Sequence, residues 1–166
     1  MKQLPYFQHL KALTTYIDGE VIWTNDAPAR VRGKRVGTIH NGYLSTIVRP
    51  NGLPASKVRL HRYIYWLFNG DYDEVMLIDH INGNKGDNRI ENLRMADMCQ
   101  NQWNRGVCTL SRTGTKNVFH YRHGQYGVHM ESRGIKYNKV GFSNIEEAAK
   151  YADRLRQELH GDFAKS

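Results

Sequence analysis

The stretch Asp79-His80-Ile81-Asn82-Gly83-Asn84-Lys85-Gly86-Asp87-Asn88-Arg89-Ile90-Glu91-Asn92-Leu93-Arg94 places an acid and an imidazole at the end of an apolar run, then a loop of Asn, Gly and Asp. Val75-Met76-Leu77-Ile78 reads as the strand that leads in. Residues 82–88 tolerate unusual backbone angles and cap their own turns, so they make a poor core and a good site. Leu93-Arg94-Met95 is expected to return as a second strand. Asp97 then caps a helix through Gln100-Asn101-Gln102-Trp103 to about Asn104. The predicted order is strand, long loop, strand, helix.

Phosphodiester hydrolysis needs an activated water, a cation to neutralise charge on the phosphorus, and stabilisation of the leaving oxygen. Adjacent strand residues point to opposite sides, so Asp79 can face a metal while His80 faces a water. A helix after the loop can return the side-chain oxygen of Asn101 to the same cation. A carboxylate and an amide form a hard, partly open ligand set, which suits one Mg²⁺ or Mn²⁺ and disfavours zinc.

The string Asp-His-Ile-Asn-Gly-Asn, Asp-Asn-Arg, Glu-Asn-Leu-Arg, Asn-Gln and Asn resembles the HNH endonucleases, and within them the phage and intron homing group, which includes nicking enzymes. The resemblance covers roughly residues 57 to 104, because His61-Arg62 before an aromatic-rich helix also typifies that group. It implies a ββα-metal motif with His80 as general base, Asp79 and Asn101 as metal ligands, and Asn92 bracing the loop and orienting His80. The wider family often has His where this chain has Asn101, and the choice between Asn101 and Asn104 stays open. Asn82, Asn84, Asp87 and Asn88 read as loop-forming residues. His61 is either a phosphate contact or a packed histidine at a helix start. Arg62, Arg89 and Arg94 are possible DNA contacts, and Arg94 can equally pair with Glu91 or Asp97.

Working outward, Gly19–Trp23, Gly37–Ile39 and Tyr43–Val48 alternate apolar and polar residues around turns at Asn41-Gly42 and Asn51-Gly52. This predicts a small antiparallel meander up to about Leu60. His61 to Phe68 has aromatic and aliphatic residues at helical spacing and ends at Asn69-Gly70, as a short buried helix would. Residues 105–116 read as a linker. Beyond it, 118–121, 126–130 and 136–140 read as strands, turning at His123-Gly124 and Arg133-Gly134. Asn144 then caps a helix with Ile145, Ala148, Ala149, Ala152, Leu155 and Leu159 on one stripe up to Gly161.

This last module resembles the ethylene-response-factor (APETALA-type) DNA-binding domain through Asn117-Val118, Gly124–Val128, Val140-Gly141-Phe142, Glu146–Ala149 and Leu159–Phe163. The resemblance implies a sheet laid in the major groove, with Arg122, His129, Arg133, Lys136 and Lys139 as contacts. The family usually has a Trp on the sheet where this chain has Tyr121 and Tyr126, so base specificity does not carry over. Arg30-Val31-Arg32-Gly33-Lys34-Arg35 packs four cations into six positions, and Arg30, Arg32, Lys34 and Arg35 are expected to grip phosphate.

The expected architecture is α+β: a basic β-rich region over 1–56, an HNH nuclease over 57–104, a linker over 105–116 and a βββα module over 117–166. The 166 residues carry a net charge of +8, distributed unevenly. Residues 1–70 hold ten Lys/Arg against three Asp/Glu, residues 71–104 three against seven, and residues 105–166 eleven against six. An acidic centre between basic flanks suits a cation at a scissile phosphate with the backbone held on both sides. No apolar run approaches a bilayer span and no signal-peptide core is present, so a cytoplasmic, phage-type protein is expected in the host cell, with no membrane partner. Cys99 and Cys108 lack the spacing of a disulfide scaffold or zinc site and are expected as free thiols. The expected partner is double-stranded DNA, with a monomer as the default. A non-catalytic DNA-binding regulator derived from such a nuclease is the main rival reading, and an RNA-processing nuclease the next.

Overall fold

The computed structural model describes residues 2–107 and 110–164. Its elements are α1 (Leu4–Leu13), β1 (Thr14–Ile17), β2 (Glu20–Trp23), β3 (Thr38–His40), β4 (Tyr43–Val48), β5 (Ser56–Arg59), α2 (Leu60–Asn69), β6 (Leu77–His80), β7 (Leu93–Ala96), α3 (Met98–Trp103), β8 (Val118–His120), β9 (Tyr126–Ser132), β10 (Ile135–Phe142) and α4 (Ile145–His160). The fold is α+β, with small antiparallel sheets and four helices among the described residues. The chain divides into two compact units, Met1–Ala96 and Asp97–Ser166.

In the first unit, the N-terminal strands form two sheets where the sequence suggests one meander. β1 and β2 make a hairpin, and β3, β4 and β5 make a separate three-stranded sheet in that order. The cause is local. Asp18 and Gly19 both take positive φ, which closes a tight turn and lets Thr14–Ile17 pair with 20–23, a strand the alternation pattern does not reveal. Helix α1 is a further addition. Its apolar residues recur every third position, at Leu4, Phe7, Leu10 and Leu13, and Phe7 and Leu10 are fully buried.

One core joins these parts to the rest of the unit. Phe7, Leu10, Val21, Val36, Val48 and Val58 pack with Leu60, Tyr63, Ile64, Ile78 and Leu93, so the core runs straight through the boundary expected near residue 56. Buried Tyr63 is satisfied by Thr14 Oγ1 at 2.9 Å, and Thr14 donates to Leu10 O at 2.7 Å. Helix α2 stops where expected: Gly70 takes φ 75° and its N–H donates to Trp66 O.

The second unit has a sheet ordered β10-β9-β8 under α4. Its core is Val118, Val128, Phe142, Ala148 and Ala152. Asn144 caps α4 through Glu147 N–H at 2.8 Å, and Asp97 and Gln100 form a reciprocal capping box on α3. Arg156 is buried and held by Asp153, Lys116 O and Asn117 Oδ1. Residues 108 and 109 of the anticipated linker, and with them Cys108, lie outside the described residues; Cys99 is a free, exposed thiol.

His160, at the end of α4, stacks flat on Trp103 with ring centroids 4.3 Å apart. It is 8% exposed, and neither ring nitrogen has a hydrogen-bond partner among the described residues. Burial, then the charges of Lys116 and Arg156, push its pKa from 6.5 down to about 4. The unfolded chain therefore binds a proton that the folded one refuses, so stability is complete above pH 6.5 and is lost as pH falls toward 4. His160→Phe should flatten the pH dependence of thermal unfolding in that window, removing up to about 1.4 kcal/mol per pH unit of slope. An unchanged slope by calorimetry between pH 7 and 4 would show that His160 is not the titrating group.

Candidate active site

The loop between β6 and β7 is built around Asn92. Its Oδ1 accepts from Asn82 N–H at 2.9 Å, while its Nδ2 donates to Asn82 Oδ1 at 3.0 Å and to Asp87 O at 2.8 Å. Asn82 Nδ2 in turn donates to Asp87 Oδ2 at 2.8 Å, and Asn84 Oδ1 accepts from Gly86 N–H at 3.0 Å. One side chain thus fastens both arms of the loop, as its composition of short amides allows. The hairpin β1–β2 supports the loop from outside: Tyr16 Oη accepts from Ile90 N–H at 3.2 Å, and a Cβ on Gly19 would stand 3.0 Å from Arg89 N. With φ at 84° as well, position 19 requires glycine.

At the end of β6, Asp79 and His80 are both buried. Asp79 lies directly across the hairpin from Arg94, whose Nε donates to Asp79 Oδ2 at 3.2 Å. Arg94 therefore pairs with Asp79 rather than with Glu91 or Asp97, the two partners anticipated for it. His80 Nε2 lies 3.0 Å from Asn88 Oδ1, and Asn88 is 2% exposed. Asn88, which the sequence suggested only as a loop former, is bonded to the imidazole, and Asn92 is bonded to the loop around it. No periodicity distinguishes Asn88 from its neighbours; its signal appears only as burial.

His61 and Tyr43 back the imidazole. The His61–His80 ring centroids are 5.1 Å apart, Tyr43–His61 5.2 Å and Tyr43–His80 6.1 Å. His61 is 3% exposed, and burial, followed by the charges of His80, Arg59 and Arg62, pushes its pKa down to about 3. It is neutral at pH 7 and stands behind His80, with no surface to present to a phosphate. Arg62 Nε donates to Tyr72 Oη at 3.0 Å. Arg89 grips Asp87 with Nε at 2.9 Å and Nη2 at 2.8 Å, which, with the Asn82 bond, holds the Asp87 carboxyl well below the usual range. Among the described residues no three His, Cys, Asp or Glu side chains converge as a metal cluster.

Residues expected to touch DNA elsewhere are scattered. In the first unit, Arg30 and Lys34 are exposed, Arg32 Nε donates to Ala27 O at 2.8 Å, and Arg35 pairs with Glu20. In the second unit, the β9–β10 register places His129 opposite Asn138 and Lys136 opposite Glu131, all exposed, with His129 Nδ1 2.5 Å from Asn138 Oδ1. Lys139 lies opposite buried Val128 and rests over the Tyr151 ring of α4 at 4.5 Å, so it occupies the helix side of the sheet. Arg133 sits in the hairpin turn and Arg122 beside Tyr121. The five do not share one face. Asn101 lies on α3, half-buried, and Asn104 caps the C-terminal end of that helix.

Residues 58–102 match the HNH endonuclease family. That HNH segment contains Asp79, His80, Asn88 and Asn92 and ends one residue past Asn101. An uncharacterized HNH endonuclease of Acanthamoeba polyphaga mimivirus is 30% identical over 74% of this chain and 64% of its own length. Protein 3.8 of Escherichia phage T7 is 27% identical over 64% of this chain and 88% of its own length. A solved structure of the HNH homing endonuclease I-HmuI, described for DNA binding and cleavage, aligns with 74% of this chain and 68% of that one at 24% identity and a TM-score of 0.43. The chain spans under two thirds of the mimivirus relative. The module over 117–166 lies outside the HNH match.

Asn92→Ala removes three hydrogen bonds and leaves the Asn82 and Asp87 backbone groups without them. We expect a loss of about 2–3 kcal/mol in urea unfolding, with faster amide exchange confined to residues 81–92. A loss under about 0.5 kcal/mol would show that the loop holds without this side chain.

Proposed function

We propose that this chain is a divalent-metal-dependent DNA endonuclease that hydrolyses a phosphodiester at His80. The observation that carries the reading is a buried imidazole bonded through Nε2 to Asn88, next to buried Asp79, inside a segment that matches the HNH family. In the tautomer with the proton on Nε2, Asn88 Oδ1 accepts it and Nδ1 is the nitrogen that would take the proton of the attacking water. Neutral His61 adds no charge behind the ring. Arg94 fixes the orientation of Asp79, which offers the carboxylate to one Mg²⁺ or Mn²⁺. A hard cation fits the carboxylate that Asp79 offers, because phosphate and water oxygens would complete its shell. Bound there, the ion supplies charge neutralisation at the phosphorus and at the leaving oxygen. The assignment of Asn101 as a further oxygen donor rests on the motif alone.

The substrate in this reading is double-stranded DNA, met by a monomer in the cytoplasm of a phage-infected cell. The +8 net charge supports a polyanionic partner, and among the described residues no helix is long and apolar enough to cross a membrane. The exposed sheet face bearing His129 and Lys136, with Arg133 at its turn, supports a groove-binding role for the ethylene-response-factor-like module. Cut position is then set by the flanks, and one site per chain makes nicking the simplest outcome.

A supercoiled plasmid with Mg²⁺ tests this directly. Wild type should nick it, His80→Ala should be slower by about 10²–10⁴-fold, Asp79→Asn should lose metal dependence together with activity, and Asn88→Ala should retain DNA binding while losing most of the rate. Binding without nicking in Mg²⁺ or Mn²⁺ would make the chain a non-catalytic regulator; cleavage of RNA alone would replace the substrate class.

A further inference from the structure

Two cations beside His80 belong to no role assigned above. The guanidinium of Arg59 lies 4.9 Å from the centroid of the Tyr43 ring, and Lys85 Nζ lies 4.6 Å from the same centroid. That ring is 6.1 Å from the imidazole of His80. Arg59 ends β5, Tyr43 starts β4 and Lys85 sits mid-loop, so three separate elements deliver the group to one place. Both cations are exposed, and among the described residues neither forms a salt bridge. The carboxylate nearest Lys85 in sequence, Asp87, is already taken by Arg89 and Asn82.

Two like charges share one ring, each drawn to the aromatic π-system while repelling the other. Gly42, at φ 79°, leaves room for the Lys85 stem, since a Cβ there would stand 3.2 Å from Lys85 Cδ. An anion received by both cations would convert the repulsion into binding energy.

We propose that Arg59 and Lys85, held by Tyr43, form a phosphate cradle that receives a backbone phosphate of the bound DNA next to the one presented to His80. Arg59 and Lys85 are the contacts, and Tyr43 is a positioning residue that acts through them. The cradle anchors the strand on one side of the cut, which restricts where the reacting phosphorus can lie relative to the imidazole. The identity of the anion rests on the endonuclease reading; the charge geometry does not.

The test uses the full chain and a double-stranded oligonucleotide in EDTA, with affinity measured by fluorescence anisotropy across a salt series. Arg59→Ala and Lys85→Ala should each lower the slope of log K against log salt by about 0.9, as the loss of one phosphate contact does. Arg59→Lys and Lys85→Arg should keep the wild-type slope. Tyr43→Leu should lower the slope with both cations still in the chain, and Tyr43→Phe should restore it, which general destabilisation would not do. In Mg²⁺, single-turnover nicking at saturating DNA should fall at least tenfold in Arg59→Ala and Lys85→Ala. Unchanged slopes in both alanine variants, with wild-type melting temperatures, would overturn the cradle. Slopes that fall while wild type nicks nothing would uphold it and overturn the endonuclease reading instead.

Discussion

The amide of Asn92 reaches back across its own loop to hold Asn82 and the carbonyl of Asp87, and the environment of His80 is built on that clamp. A loop from residue 81 to 92 that closes on backbone groups alone would have many conformations of similar energy, and ordering each residue costs about 1–2 kcal/mol. Three hydrogen bonds from one partly enclosed side chain select one of them. Once selected, the loop delivers Asn88 to the imidazole, Lys85 to the Tyr43 ring and Asp87 to Arg89.

The charges around His80 are sorted by burial. His61 is enclosed and kept neutral, Asp79 is enclosed but paired with Arg94, and the cations Arg59 and Lys85 remain at the surface. An unpaired charge in the interior would cost several kcal/mol, whereas at the surface it costs little and can meet a ligand. The acidic composition of residues 71–104 therefore does not make a uniformly negative site. Asp87 is neutralised by its own loop, and what faces outward near His80 is positive.

The N-terminal strands serve the same end. The β1–β2 hairpin touches the loop at Ile90 and Arg89, and the three-stranded sheet contributes Tyr43 and Arg59. These elements share a core with α2, β6 and β7, so the HNH segment is braced by residues far from it in sequence. The resemblance begins near residue 57, but the folding unit that carries His80 begins at the N-terminus.

Local rules made much legible in the sequence: the strand-loop-strand-helix order, the Asp97 and Asn144 caps, the stop at Gly70 and the βββα module all follow from short-range spacing, turn chemistry and capping, which depend on residues a few positions apart. The motif likewise marked Asp79, His80 and Asn92. Helix α1, with a stripe of four apolar residues, and the β1 strand were missed because their signals are short and tertiary packing supplies their stability. The partners of the site were decided by the fold alone. Asn88 in place of a generic loop amide, Arg94 on Asp79, His61 as a neutral support, and Tyr43 bearing Arg59 and Lys85 are pairings across separate elements or around a closed loop. Sequence determines which side chains are available for such contacts. Which of them meet is set by strand register and core packing, because those fix distances between residues that spacing along the chain leaves unconstrained.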